Sequence, residues 1–168
     1  VRRQVYEAVR DKISQTMSWV KWIDLQKGQF NNLKEDYPLP LPCILVEISH
    51  IMWETFAQNR QMGKTIISVY IFNQVIGETL KNSEQESTSL KALDKIDEVF
   101  QKLSDLAVAN LFKRLVRVSD HVVSYLPGVI VHRMDFQTTL FDQIWPQTAP
   151  IPPANITVEL THDNPAEE

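Results

Sequence analysis

The sequence predicts an α+β domain: a small, mainly antiparallel or mixed β-sheet with an N-terminal helix and a second amphipathic helix packed on it. Two stretches repeat apolar residues at helical spacing. Four stretches rich in β-branched and aromatic residues alternate or run apolar, as strands do. The chain is 168 residues long and 43% hydrophobic, which suits one domain with a core of its own.

The first element is a helix over Arg3 to Ile23. Val5, Val9, Ile13, Val20 and Ile23 fall on one face, and Glu7, Arg10, Ser14, Ser18 and Lys21 fall opposite. Trp19 and Trp22 flank the end of the stripe, where an aromatic serves the core or a contact between subunits. Gly28 closes the segment and a polar connection comes after it. Tyr37 to Pro42 reads YPLPLP; three alternating prolines forbid helix and set an extended lead-in. The strand Cys43 to Ser49 comes next, with Ile44, Val46 and Ile48 on one face and Cys43, Leu45 and Glu47 on the other.

His50 to Gly63 links this strand to its successor. It carries Ile51, Met52, Trp53, Phe56 and Met62, so it is expected to cover either the domain's own core or a neighbouring subunit. The next strand, Thr65 to Asn73, sets Ile67, Val69 and Ile71 against Ile66, Ser68, Tyr70 and Phe72. Polar residues Asn82 to Ser89 come next, with Ser83 and Glu86 spaced as a capping box. Leu90, Leu93, Ile96, Val99, Phe100, Leu103 and Ala107 then form a helical stripe expected to lie on a sheet face.

Two strands close the domain. One spans Phe112 to Ser119; the other, Val129 to Phe141, aligns Ile130, His132, Met134, Phe136, Thr138 and Leu140. Pro127-Gly128 marks a turn between them. Asp120 to Leu126 extends one of these strands or forms a loop. The domain is thus expected over residues 1–142, and 143–168 is a proline-rich arm or tail. Within the latter, Ile156, Val158 and Leu160 alternate with polar residues in the pattern of an edge strand.

Signals for chemistry are sparse. Gly63-Lys64-Thr65 matches the end of a phosphate-binding loop, but the first glycine of that motif is replaced by Gln58. The residues after Thr65 form a strand rather than the helix whose N-terminus attracts the anion. Gly63 is expected to finish a turn, with Lys64 at a solvated strand end. Cys43 is the sole cysteine, which excludes an internal disulfide, and it reads as a buried, inert thiol. His50, His121, His132 and His162 are scattered without metal-ligand spacing. No catalytic residue, cofactor or metal is expected, and the chain is read as no enzyme. The net charge of −4 with no basic run argues against a nucleic-acid binder. A nucleic-acid module would have to use Trp53, Arg60 and Lys64, and a hydrolase Cys43. No apolar run approaches the ~20 residues of a membrane span, and the opening VRRQVYEAVRDK is amphipathic rather than a signal peptide.

The strand PCILVEIS, the segment RQMGKTIISVYIF, the helix SLKALDKIDEVFQKL and the closing PGVIVHRMDFQTTLFD occur in an order that resembles the tail-terminator and tail-completion proteins of tailed bacteriophages. The resemblance covers Pro42 to Asp142. It implies a homohexamer: a closed ring of about six copies, each using two different patches. The ring would sit at the head-proximal end of the tail tube, stop its growth and join it to the neck. The partners implied are the tail-tube protein and neck or connector proteins, with genomic DNA passing through the lumen unread. The location implied is the virion, after assembly in the host cytoplasm. A head-completion or connector protein is the alternative. The residues expected at the subunit interface are Met52, Trp53, Phe56, Arg60, Met62 and Trp145.

Overall fold

The computed structural model describes residues 1–28, 40–57, 60–74, 81–84, 86–126 and 128–143. Helix α1 spans Arg2–Thr16 and buries Val5, Val9 and Ile13, successive residues of one helical face. Each such side chain contributes roughly 1.5–3 kcal/mol of burial before entropy. The helix stops seven residues short of the expected Ile23. Met17 leaves helical geometry at φ −127°, ψ 80°, although its N–H still reaches Ile13 O at 2.9 Å. Trp22–Leu25 instead forms strand β1, parallel to β2 (Cys43–Ile48), with Trp22 opposite Cys43. The Lys21 N–H to Pro42 O bond, 2.9 Å, starts this pairing. An open edge on β2 that satisfies backbone groups outweighs the helical spacing of Val20 and Ile23.

The apolar connection after β2 is itself sheet. Met52–Ala57 is strand β3, antiparallel to the first residues of β4, which spans Arg60–Gln74. Gly63 therefore finishes no turn: it lies inside β4 opposite Trp53. A Cβ there would overlap Ile51 Cγ2 and stand 2.7 Å from Trp53 Cε3, so its lack of a side chain lets both pack across it. Lys64 is exposed in mid-strand rather than at an end. The Gly63-Lys64-Thr65 run thus sits in extended backbone, without a helix N-terminus for an anion.

Helix α2 spans Glu86–Leu103. Glu86 opens the helix and its carboxylate accepts the Asn82 N–H at 2.7 Å, one residue before Ser83. Val99 and Leu103 are buried and Ile96 and Phe100 half-buried, whereas Leu90 and Leu93 are exposed and Ala107 lies past the helix end. Only the second half of the stripe meets the core. There the Trp19 indole N–H donates to Glu98 Oε2 at 2.7 Å and Lys95 lies over the same ring.

Strand β5 is Val116–Leu126 and β6 is Val129–Gln143. The expected start at Phe112 shifts because Phe112 makes only isolated bridges, to Val108 and Leu140. Residues 120–126 extend β5. Between the two strands Gly128 adopts φ +73°, the left-handed conformation a turn demands.

Among the described residues the strands form one mixed, six-stranded sheet in the order β1-β2-β4-β6-β5, with β3 on the end of β4 beyond β2. Both helices cover one face. Their core holds Ile44, Val46, Ile67, Val69, Ile71, Met134, Phe136 and Leu140, the faces expected from alternation. Cys43, Leu45, Tyr70, Phe72 and Val131 are buried on the opposite face. The elements from α1 to β6 thus make one α+β unit.

Candidate functional site

Three groupings could carry function. The first is the end of the sheet where β3 meets β4. Alternation splits the expected interface residues between the two faces. Trp53 opposes Gly63 and is half-buried against the helix-side core with Ile51. Met52 opposes Lys64 and points to the other face, 62% exposed. Met62, on that same face, is half-buried beside Glu54 and Phe141. Phe56 is the extra residue of a β-bulge between Thr55 and Ala57; the bulge turns it out of the ladder, 47% exposed. Its ring meets Phe141 edge-on at 6.4 Å. Phe56, Arg60, Asn110, Phe141 and Asp142 line an open cavity of about 400 Å³. Met52, Phe56, Arg60 and Met62 therefore gather at one end of the sheet, and Trp53 anchors the strand that carries them. Trp145 lies outside the described residues, as do His162 and the arm from residue 144.

Residues that sequence reading did not single out complete this surface. Ile66 is partly exposed on the same face, and Val116, at the start of β5, is 56% exposed beside Gln137. Phe141 joins through strand pairing, about 80 residues from Phe56 in sequence, which no local pattern announces. The surface is apolar, shallow and open, with one cation and one carboxylate in its cavity. Exposed apolar groups gathered this way are the kind of surface that protein contacts cover, whereas small-molecule sites are typically enclosed.

The second grouping is polar and lies mid-sheet. Tyr70 Oη donates to Glu47 Oε2 at 2.7 Å, Arg133 Nε to Asp135 Oδ1 at 2.8 Å, and Arg133 Nη2 to Ser68 Oγ at 3.1 Å. Ser68 and Asp135 are buried. Burial first, then the bond to Glu47, pushes the Tyr70 hydroxyl up to about 12. The serine hydroxyl faces a guanidinium, which cannot take its proton, so the network satisfies buried groups without arming a nucleophile.

The third grouping is on β5 and β6. Asp120 contacts His132 Nε2 on one oxygen and Arg117 Nη1 on the other, the latter at 2.9 Å. Ser119 Oγ and His121 Nδ1 are 3.1 Å apart on the exposed edge. Asp120 serves His132, not His121, so no acid–histidine–serine chain forms. His50 is exposed and apart from both. Burial alone raises the Cys43 thiol to about 12, the opposite of what a thiolate nucleophile needs. Among the described residues no group of three or more His, Cys, Asp or Glu side chains is placed to hold a metal ion, and no helix is long and apolar enough to cross a membrane.

No protein-family model matches this chain, and no curated protein matches it.

Proposed function

We propose that this chain is a structural virion protein of the tail-terminator type. It assembles as a ring, a homohexamer, at the head-proximal end of a phage tail, and it meets the tail-tube protein on one side and neck or connector proteins on the other. DNA passes through its lumen without being read, and it works without catalysis, cofactor or metal. The observation that carries the reading is the bare end of the sheet: Met52 and Phe56 are exposed on a strand whose Trp53 packs the core from the other face. A ring requires two unlike surfaces on each subunit. The β3 end and the β5 edge are unlike, and they lie on opposite sides of the β4–β6 pair.

The test is the mass of the purified full chain by light scattering across concentration, alone and with tail-tube protein, with negative-stain imaging of the product. Closed rings of about six copies are expected. A monomer that persists at every concentration, tube protein included, sinks the reading. Rings that bind the neck protein but leave tube length unregulated place the chain instead among connectors.

A further inference from the structure

Strand β5 is an edge: among the described residues its only ladder partner is β6. Val116 and Val118 stand at least half exposed along it. Between its start and the end of α2 lies an open cavity of about 430 Å³ lined by Phe100, Ser104, Arg114, Leu115, Val116 and Arg117. Both charged residues of that lining are arginines. Arg117 stacks on the Phe100 ring at 3.6 Å and pairs with Asp120. Arg114 donates to Ser104 O at 2.7 Å and pairs with Asp105. Each guanidinium has five N–H donors, so both retain donors for a further carboxylate. An unpaired edge next to apolar and cationic groups fits an extended acidic peptide that adds as a strand.

The chain carries such a peptide. Residues 155–168 read NITVELTHDNPAEE: Ile156, Val158 and Leu160 alternate with polar residues, and Glu159, Asp163, Glu167 and Glu168 stand without any Lys or Arg. Between β6 and this segment lie residues 144–154, which include Pro146, Pro150, Pro152 and Pro153. At the ~3.1 Å per residue of a fully extended proline-rich chain, eleven residues can span up to roughly 34 Å. The outer edge of β5 in the same copy is only two strand spacings from β6, about 10 Å. The reach fits an adjoining subunit. Strand β3 is the poorer acceptor: it has six residues with a bulge at Phe56, against eleven in β5 with bulges at Val118 and Val123, and its adjacent cavity contains Asp142.

We propose that residues 155–168 of one copy add as a strand to the open edge of β5 in the next copy, seating their carboxylates near Arg114 and Arg117. This contact rests on the ring reading and specifies one of its joints.

The experiment uses full-length chains. One preparation carries Val116→Cys, an exposed position in register on β5; a second carries one added cysteine at Asn155, Thr157 or Glu159 in turn. Native Cys43 is buried and stays silent. Neighbouring strands hold Cα atoms at disulfide distance. Mixing and mild oxidation should link the two preparations to each other several-fold above a control that pairs Val116→Cys with Lys91→Cys. For the mixed preparations, linkage no greater than the control overturns the proposal; so does a third chain carrying both cysteines that closes a disulfide within one copy and none between copies. Adding Glu159→Lys with Asp163→Lys should cut the yield several-fold; an unchanged yield overturns the arginine seating. The two readings fail separately. Rings that form without the cross-link remove only the arm contact, whereas a chain that stays monomeric by light scattering removes the ring itself.

Discussion

The two halves of strand β4 obey different rules. From Ile67 to Asn73 every side chain is buried, with Ile67, Val69 and Ile71 under the helices and Tyr70 and Phe72 in the second cluster. From Arg60 to Ile66 only Gly63 and Thr65 are buried, and the partner strand β3 leaves Met52 and Phe56 bare. The backbone ladder is continuous, since β6 pairs with β4 from Arg60 to Gln74. The difference lies in what covers the strand. The first half runs beyond β2, and its outer face, which carries Met62 and Ile66, lies across the sheet from the core that Ile51, Trp53 and Leu140 join. If Met52 and Phe56 meet a partner, as proposed, their loss should affect assembly and leave folding intact.

That contrast predicts a ranking of substitutions. The largest loss belongs to the covered half. Phe136 opposes Ile67 on the helix side and is fully buried. Phe136→Ala should lower stability by about 3–5 kcal/mol, measured by urea unfolding followed by circular dichroism. A loss below about 1 kcal/mol would mean that this face is not close-packed. In the middle of the first half, Gly63→Ala forces Ile51 and Trp53 to move. About 1–3 kcal/mol should be lost, with a change in tryptophan fluorescence that reports the displaced indole. An unchanged spectrum would show that Trp53 does not lie across the glycine.

A smaller effect comes from the second face. Tyr70 and Cys43 keep their protons more tightly in the folded chain, each up to about 12 from 10.0 and 9.0 respectively. As pH rises the unfolded chain releases these protons first. The stability they contribute is complete below pH 9, declines from there, and is lost as pH passes about 12. Tyr70→Phe removes the bond to Glu47, worth about 1 kcal/mol at neutral pH, and should make the alkaline decline shallower. A decline as steep as in the parent would assign it to other groups. Cys43 should ignore a thiol reagent in the folded protein and react once urea unfolds it.

Much of this architecture is legible in the amino-acid order, and the exceptions have a common cause. The faces of β2 and β4, the stripe of α1 through Ile13, the turn at Gly128 and the second half of α2 all follow from local period, because each buries one face against a single layer. Strands β1 and β3 are not visible locally. Trp22–Leu25 is too short for a period to show, and it becomes a strand only because β2 offers an edge. In β3, Trp53 turns inward while Met52 and Phe56 turn outward, so large apolar residues occupy both faces and the alternation that marks a half-buried strand disappears. The same double-sidedness explains why the expected interface residues divide as they do. Their apolar character is visible in the chain, but which of them face solvent depends on a register set by pairing with β4. Contacts such as Asp120 with His132 and Phe56 with Phe141 are likewise products of strand pairing and have no local signature.

The smallest expected effect on stability is the most informative about function. Met52 and Phe56 are exposed, so replacing both by serine removes little buried area; the change should stay within about 0.5 kcal/mol, the usual range for surface positions. The fold has no need of them, so any larger consequence must come from a partner. Large apolar side chains at the centre of an interface each cost about 2 kcal/mol or more when truncated, and a ring repeats every contact around its axis. Met52→Ser with Phe56→Ser should therefore shift the assembly midpoint, read by light scattering, by at least tenfold in concentration while the unfolding midpoint stays where it was. Trp53→Ala should lower both, because the indole lies against the core on the face away from solvent. If instead the double variant assembles like the parent and unfolds earlier, the first half of β4 belongs to the core after all, and the distinction between the two halves of the strand collapses.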